Sequence, residues 1–284
     1  MIQDIAPSKL NNVYSFQTPT DEDFVLLFED DGKLVVNTED GGIRFTTGKE
    51  IPAIGATYLF SLDNNRFFLA QRGTEAPESG FARKTIREMR NIGKGKDVFA
   101  AFTAYHLWRW YEDNRFCGRC GTPNEHHGTE RAMRCPRCGN VIYPRLNPAV
   151  IVGVIKDDSI LITRYRTGYA HNALVAGFTE IGETLEETVA REVMEETGIQ
   201  VKNIRYYKSQ PWGMAQDILM GFYCDADGDG IIRADENELK SAEWVRGEEL
   251  VLQPNDLSLT NEMMKQFKYN YDQIVRKEHK TQIP

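Results

Sequence analysis

Apolar and polar positions alternate in short blocks along the first third of the chain. Residues 24–28 (FVLLF) and 34–36 (LVV) are apolar runs separated by Glu29-Asp30-Asp31-Gly32, a pattern that predicts a hairpin or two adjacent strands. Residues 57–70 (TYLFSLDNNRFFLA) repeat it around a polar turn at Asp63-Asn64-Asn65. The period then lengthens. Residues 81–92 and 97–113 read as helices, the second with Phe99, Phe102, His106, Leu107 and Trp110 along roughly one face and Asp97 as its N-cap. Its aromatic density (Tyr105, Trp108, Trp110, Tyr111) fits core or interface packing better than a base-stacking platform, because the spacing is helical. His106 reads as a packed histidine. Past a proline-rich connector, Tyr143-Pro144-Arg145-Leu146-Asn147-Pro148, the runs 149–155 (AVIVGVI) and 160–165 (ILITRY) predict strands, and 258–276 predicts a helix packed on a sheet.

The stretch GFTEIGETLEETVAREVMEETGI, residues 177–199, carries the sharpest pattern. Thr184 followed by Glu187 has the form of a capping box, so a helix starts there. Leu185, Val189 and Val193 recur every four residues as a buried stripe, and Gly198 suits the left-handed position that ends the helix. Glu192, Glu195 and Glu196 stand at i, i+3 and i+4 and share one face. Three carboxylates on one turn repel each other, a penalty that a hard divalent cation such as Mg²⁺ or Mn²⁺ removes. The alternative is a solvated acidic face. Arg191, permanently charged, can lock a neighbouring glutamate by a bidentate pair.

Gly177, Glu183, Arg191, Glu192, Glu195, Glu196 and Gly198 fall at the spacing of the Nudix box, G-x5-E-x7-R-E-U-x-E-E-x-G-U, and every specified position is filled. The stretch therefore resembles that of Nudix hydrolases. The resemblance implies an α/β chain whose catalytic part is an α/β/α sandwich with a mixed sheet. It also implies Mg²⁺- or Mn²⁺-assisted hydrolysis of a diphosphate linked to a nucleoside.

Four of the five cysteines form two C-x-x-C-G turns, Cys117/Cys120 and Cys135/Cys138, with fourteen residues between the pairs. Two such turns can place four thiolates tetrahedrally, the geometry that favours structural Zn²⁺. Disulfides and a redox C-x-x-C are the competing readings, and His126 or His127 the competing ligands. Cys224, in an apolar run, reads as a buried free thiol. A formal net charge of −8 argues against an extended basic groove for nucleic acid, without excluding a single nucleotide end. No apolar run reaches the length of a membrane span, and the first residues lack the basic and apolar regions of a signal peptide, so a cytoplasmic location is expected.

Ser209-Gln210-Pro211-Trp212, placed after the box helix and a strand, resembles the start of the array found in NADH pyrophosphatases, and the order of parts agrees with that family. The implied organisation is an α+β N-terminal domain (1–112), a zinc ribbon (113–144) and the Nudix catalytic domain (145–284). By resemblance, Glu192, Glu195 and Glu196 hold the catalytic metal, with Glu183 and Arg191 supporting them and Glu238 a downstream assisting acid. Phe178, Tyr143 and Gln210 match nucleotide contacts, Tyr143 reaching across a homodimer, and Trp212 is a candidate for base stacking. On sequence alone Phe178 fits the core nearly as well. The chain departs from the family in three places. Gly213-Met214-Ala215 replaces Pro-Phe-Pro, which predicts a looser loop. Asp217 stands where serine is usual, and Thr260 where alanine is usual. The segment Asp225 to Glu236 matches the EF-hand loop pattern, but a strand precedes it, so it reads as an acidic hairpin turn feeding 231–233 rather than a Ca²⁺ site.

The expected activity is hydrolysis of NADH or NAD⁺ to nicotinamide mononucleotide, reduced or oxidised, and AMP, with the 5′ end of NAD-capped RNA as a related substrate. The rivals are a Nudix enzyme acting on ADP-ribose or a dinucleoside polyphosphate, and a nucleotide-binding sensor without turnover.

Overall fold

A computed structural model of the chain describes residues 1–93, 95–168 and 171–275. It divides into two compact units, one of Ile2–Leu146 with Trp212–Gln216, the other of Met1, Asn147–Pro211 and the described residues from Asp217 on.

In the first unit, strands β1 (Leu10–Asn11), β2 (Phe24–Leu26), β3 (Leu34–Asn37), β4 (Arg44–Phe45), β5 (Thr57–Leu62), β6 (Asn65–Leu69) and β7 (Ala82–Lys84) form two sheets, ordered β1-β5-β6-β2 and β4-β3-β7. The β5–β6 hairpin turns at Asp63, whose φ of 54° is the left-handed conformation an Asp tolerates. The pair expected over 24–36 closes through a Phe28–Leu34 bridge, yet β2 and β3 continue into different sheets. The helix expected from residue 81 begins later, as α1 (Ile86–Ile92), because Ala82–Lys84 pair with β3 instead. Its cap is a Thr85–Glu88 capping box. Helix α2 (Lys96–Asp113) is capped by Gly95, and Asp97 lies inside its first turn, where a negative charge favours the helix dipole. The α2 aromatics pack as the spacing suggested: Trp108 stacks on Phe28 with centroids 5.1 Å apart, and Trp110 is fully buried.

The ribbon follows, with β8 (Glu125–His126), β9 (Met133–Arg134) and β10 (Val141–Ile142) in the order β10-β9-β8. Its two cysteine turns share one backbone design. Cys117 N–H donates to Thr122 and Gly121 N–H returns to Cys117, both at 2.8 Å. Cys135 N–H donates to Asn140 and Gly139 N–H returns to Cys135, at 2.9 and 3.0 Å. Gly121 and Gly139 sit at φ 73° and 72°, conformations that glycine alone enters without strain.

The second unit is a mixed sheet between helices. Strands β11 (Asn147–Lys156), β12 (Ser159–Tyr165), β14 (Gln200–Trp212), β15 (Asp217–Asp227) and β16 (Leu239–Arg246) order as β14-β15-β11-β12-β16, and β13 (Val175–Phe178) pairs with β11. β11 and β15 are parallel; β12 and β13 run antiparallel to β11. Alternation along β11 sorts its side chains. Val150, Val152 and Val154 pack with Val189 and Val193 of α3 (Leu185–Thr197), while Ile151 and Ile155 pack with Met263, Met264 and Phe267 of α4 (Leu259–Val275). One sheet with a helix on each face is the α/β/α sandwich that was expected. α3 has the Thr184 capping box and the left-handed Gly198 at φ 70°. Residues 231–233 form no strand. Arg233 and Asp235 instead donate their N–H groups to Thr197 and Glu196 at 2.8 Å, satisfying carbonyls at the end of α3.

Candidate active site and zinc centre

The box helix carries its acids over β13. Gly177 lies directly under Glu192: a Cβ built there would stand 1.9 Å from the Glu192 carboxyl carbon, so a larger residue would displace that carboxyl. Arg191 ties the site together. Its Nε and Nη2 grip the two oxygens of Glu183 at 2.6 and 2.9 Å. Its Nη1 reaches Glu192 at 2.8 Å and Glu195 at 3.0 Å, and Nη2 also donates to the Phe178 carbonyl at 2.9 Å. Thr188 donates its hydroxyl to Glu183 at 3.0 Å, and the turn before the helix is closed by Glu180 N–H on the same carboxylate. These bonds, Arg191 foremost, hold the Glu183 carboxyl down at about 2.

Glu196 and Glu192 are pushed the other way. Glu196 is 2 % exposed, and burial raises its carboxyl to about 8. It accepts the Tyr165 hydroxyl at 3.0 Å on one oxygen and 3.2 Å on the other, with the Ala176 N–H at 3.5 Å. Burial also raises Glu192, against the pull of Arg191. The charge of Glu238 adds to the rise at both groups. Glu238 itself is exposed, on a turn whose carbonyl receives the Arg166 N–H at 3.0 Å. Glu195 is the exposed member of the three. A buried and a partly buried carboxylate destabilised as anions, with an exposed third acid beside them, are a donor set that suits a hard divalent cation. Their oxygens do not converge as tightly as the thiols do, since Arg191 draws Glu192 and Glu195 toward itself.

The expected nucleotide contacts are placed unequally. Phe178 ends β13 at the box and is 53 % exposed, so its ring is presented rather than packed in the core. Gln210 is fully buried, its amide nitrogen donates to Leu257 and its oxygen accepts from Leu259, both at 2.7 Å. Both ends of the amide are thus held by main chain at the start of α4. Thr260 is half-buried in the first turn of the same helix. Asp217 is buried, and burial pushes its carboxyl up to about 6, with Asn147 donating at 3.5 Å.

In the other unit, Trp212 packs on Phe102 with centroids 5.3 Å apart, and Arg90 lies over its ring at 5.4 Å. The loop after it is closely packed where looseness was expected. A Cβ at Gly213 would meet the Phe102 carbonyl oxygen at 2.1 Å, and Gln216 accepts a bond from Arg145 at 2.5 Å. Tyr143 is exposed on the ribbon, its hydroxyl donating to Glu130 at 2.7 Å.

The four cysteines are free thiols, and their sulfurs all lie within 4.8 Å of one another. Cys117–Cys138, Cys120–Cys135 and Cys120–Cys138 are separated by 3.6, 3.5 and 3.6 Å. Zinc–sulfur bonds of about 2.3 Å at the tetrahedral angle place sulfurs about 3.8 Å apart, whereas a disulfide needs about 2.05 Å. The set fits zinc, closed on all sides and therefore structural. Among the described residues it is the one convergent metal-type cluster, and neither His126 nor His127 joins it. The EF-hand-like segment does not converge on an ion. Arg205 holds Asp225 and Lys202 holds Asp227, at 2.9 and 2.8 Å. Cys224 is fully buried and its thiol is pushed up by that burial.

Residues 145–267 match the NUDIX domain model, and residues 112–143 match the NADH pyrophosphatase zinc ribbon domain. Residues 145–267 of the chain are thus a Nudix domain. Ahead of it, the chain carries the zinc ribbon of NADH pyrophosphatases. It is 47 % identical over 152 residues to a protein named NAD-capped RNA hydrolase NudC of Klebsiella pneumoniae (strain 342), covering 52 % of this chain and 58 % of that one. It is 41 % identical over 173 residues to the NudC of Shigella dysenteriae serotype 1, covering 60 % and 66 %. A crystal structure of a NUDIX hydrolase from Nitrosomonas europaea aligns at 20 % identity with a TM-score of 0.48, over 56 % of this chain and 93 % of that one. The chain thus matches less than two thirds of the length of these curated relatives. Among the described residues no helix is long and apolar enough to cross a membrane.

Tyr165, Thr188 and the close approach at Gly177 escaped the sequence reading. Tyr165 was within reach, because it shares strand parity with Leu161, which faces α3.

Proposed function

We propose that the chain hydrolyses the diphosphate of NADH or NAD⁺, giving nicotinamide mononucleotide and AMP, with NAD-capped RNA 5′ ends as a second substrate of the same site. The observation that carries this reading is the pairing of a buried carboxylate, Glu196, and a partly buried one, Glu192, with an Arg191–Glu183 lock on one helix over β13. Mg²⁺ or Mn²⁺ bound by Glu192, Glu195 and Glu196 supplies charge neutralisation of the phosphate oxygens and an acidified water. The chain's own residues do the rest. Arg191 fixes the carboxylates in register, and Tyr165 and Ala176 orient Glu196. Glu238, exposed and electrostatically coupled to both Glu192 and Glu196, accepts the proton of the attacking water. Water oxygen bonds to phosphorus while the bridging P–O bond breaks, so one phosphate leaves on each mononucleotide. Phe178, exposed at the end of β13, offers a face for the base or nicotinamide ring. Tyr143 and Thr260 remain contacts proposed by resemblance, and Trp212 a candidate stacking surface.

The domain reading is an α+β domain over 1–112, a ribbon over 113–144 and the catalytic domain over 145–284. A homodimer and a cytoplasmic location complete it. The changed array, with Gly213-Met214-Ala215 after Trp212, favours a second reading, a Nudix enzyme that prefers ADP-ribose or a dinucleoside polyphosphate. One assay separates the two. Turnover of NADH, NAD⁺, ADP-ribose, diadenosine tetraphosphate and NAD-capped RNA is compared at equal Mg²⁺, reading AMP or decapped product. NADH or NAD⁺ ahead of the others by kcat/KM supports the first reading; ADP-ribose ahead overturns it.

A further inference from the structure

The ribbon's side chains are basic in a chain that is acidic. Residues 113–144 hold five arginines and three acidic residues, a formal net charge of +2 before metal binding, in a chain of −8. Three of the arginines sit on the cysteine turns themselves. Arg119 lies between Cys117 and Cys120, Arg137 between Cys135 and Cys138, and Arg134 immediately precedes Cys135. Because the four sulfurs converge within 4.8 Å, these backbone positions are gathered around one point. All three residues are exposed. The other ribbon arginines are engaged. Arg115 pairs with Glu112 and Arg131 bonds Asn12 and Leu59; Arg145, just past the ribbon, bonds Gln216. Beside the turns, Phe116 is 54 % exposed, with the Arg115 guanidinium 5.5 Å from its centroid.

We infer that the ribbon's turns are a contact surface for the phosphodiester backbone of single-stranded RNA. Exposed guanidinium groups on a rigid, metal-held backbone bind phosphates at low entropic cost, and an exposed aromatic ring takes an unstacked base. The whole-chain charge hides this because it averages a basic module with an acidic remainder. A Zn–thiolate cluster carries a formal −2, which flanking arginines offset, but three exposed guanidiniums exceed that need. The surface rests on the proposed reading only in the kind of RNA it would meet, one whose 5′ end carries the diphosphate hydrolysed by the box. A polymer has phosphates enough to engage a module besides the one that takes its terminus, whereas free NAD⁺ does not.

The test uses the full zinc-loaded chain and its R119A/R134A/R137A variant, with zinc content measured in both. Binding of a 20-nucleotide single-stranded RNA bearing a 5′-monophosphate is followed by fluorescence anisotropy across salt concentrations, and NAD⁺ turnover is assayed in parallel. The inference expects wild-type binding whose log–log salt slope becomes shallower by about 2 in the variant, from about 0.7 per lost phosphate contact, with affinity at low salt falling about tenfold. NAD⁺ turnover and zinc content stay unchanged, and R119K/R134K/R137K restores most of the binding. Equal binding and equal slope in wild type and alanine variant overturn the inference, as does absence of RNA binding by wild type. Absence of NAD⁺ turnover with RNA binding intact overturns the proposed function and leaves the RNA surface standing. If the alanine variant loses zinc, R119Q/R134Q/R137Q with zinc retained decides: a shallower salt slope than wild type supports the inference, and an equal slope with equal affinity overturns it.

Discussion

At the scale of residues, the site is built from carboxylates held in opposite states. Glu183 is an anion locked by Arg191, whereas Glu196 is buried and favours its protonated form. Glu196→Gln keeps the shape and removes the charge, so the fold should persist while Mg²⁺-dependent AMP release from NADH falls at least about a hundredfold. Steady-state turnover together with circular dichroism checks this. The same group sets a pH dependence. Its carboxyl is raised from 4.5 to about 8, so the folded chain keeps a proton that the unfolded chain has released. Stability in metal-free buffer is therefore lost as pH rises from about 4.5 to about 8, and added Mg²⁺ should raise Tm more at pH 8 than at pH 6. In the Gln variant the difference between the two pH values should shrink; a difference as large as wild type would show that another group carries it. The box acids and the Glu183–Arg191 lock were legible because their offsets alone put them on adjacent helix turns. Tyr165 and the main-chain bonds of Gln210 were not, because both depend on which strand and which loop come to lie beside them. Offsets along the chain encode helix faces, and they say little about partners 31 or 49 residues away.

At the scale of elements, each end of the box helix is specified locally, and its capping box and left-handed glycine formed as read. Thr184→Ala removes the bond that the Glu187 N–H makes to the Thr184 hydroxyl, and should cost about 1 kcal/mol, seen as a Tm lower by a few degrees. Gly177→Ala tests the approach of helix and strand. Its Cβ would collide with the Glu192 carboxyl, which must swing aside, so turnover should fall more than about tenfold while Tm changes little. The elements that went astray in reading were those fixed by pairing. Ala82–Lys84 read as helix because their composition allows it, and became strand because β3 needed a partner. Gly213 read as a source of looseness because two prolines are missing there. It proved to be the residue whose small size lets the loop meet the α2 backbone.

At the scale of the whole molecule, the zinc centre and the box are independent in chemistry and should respond differently to metal removal. Chelation that strips only the weakly held divalent cation should abolish turnover reversibly. Cys135→Ser should lower the zinc content below one per chain and unfold the ribbon, measured by zinc release and limited proteolysis between residues 113 and 144. The order of the three parts was readable from motif positions, but the partition of the chain was not. The five residues Trp212–Gln216 belong by their contacts with the N-terminal part, although they sit deep in the catalytic sequence. A fragment started at residue 145 would therefore strand an indole whose neighbours, Phe102 and Arg90, had been cut away. Severing the chain at its motif boundary would produce a sticky half-protein rather than a minimal enzyme, and anyone trimming this molecule should expect to keep both ends or lose the middle.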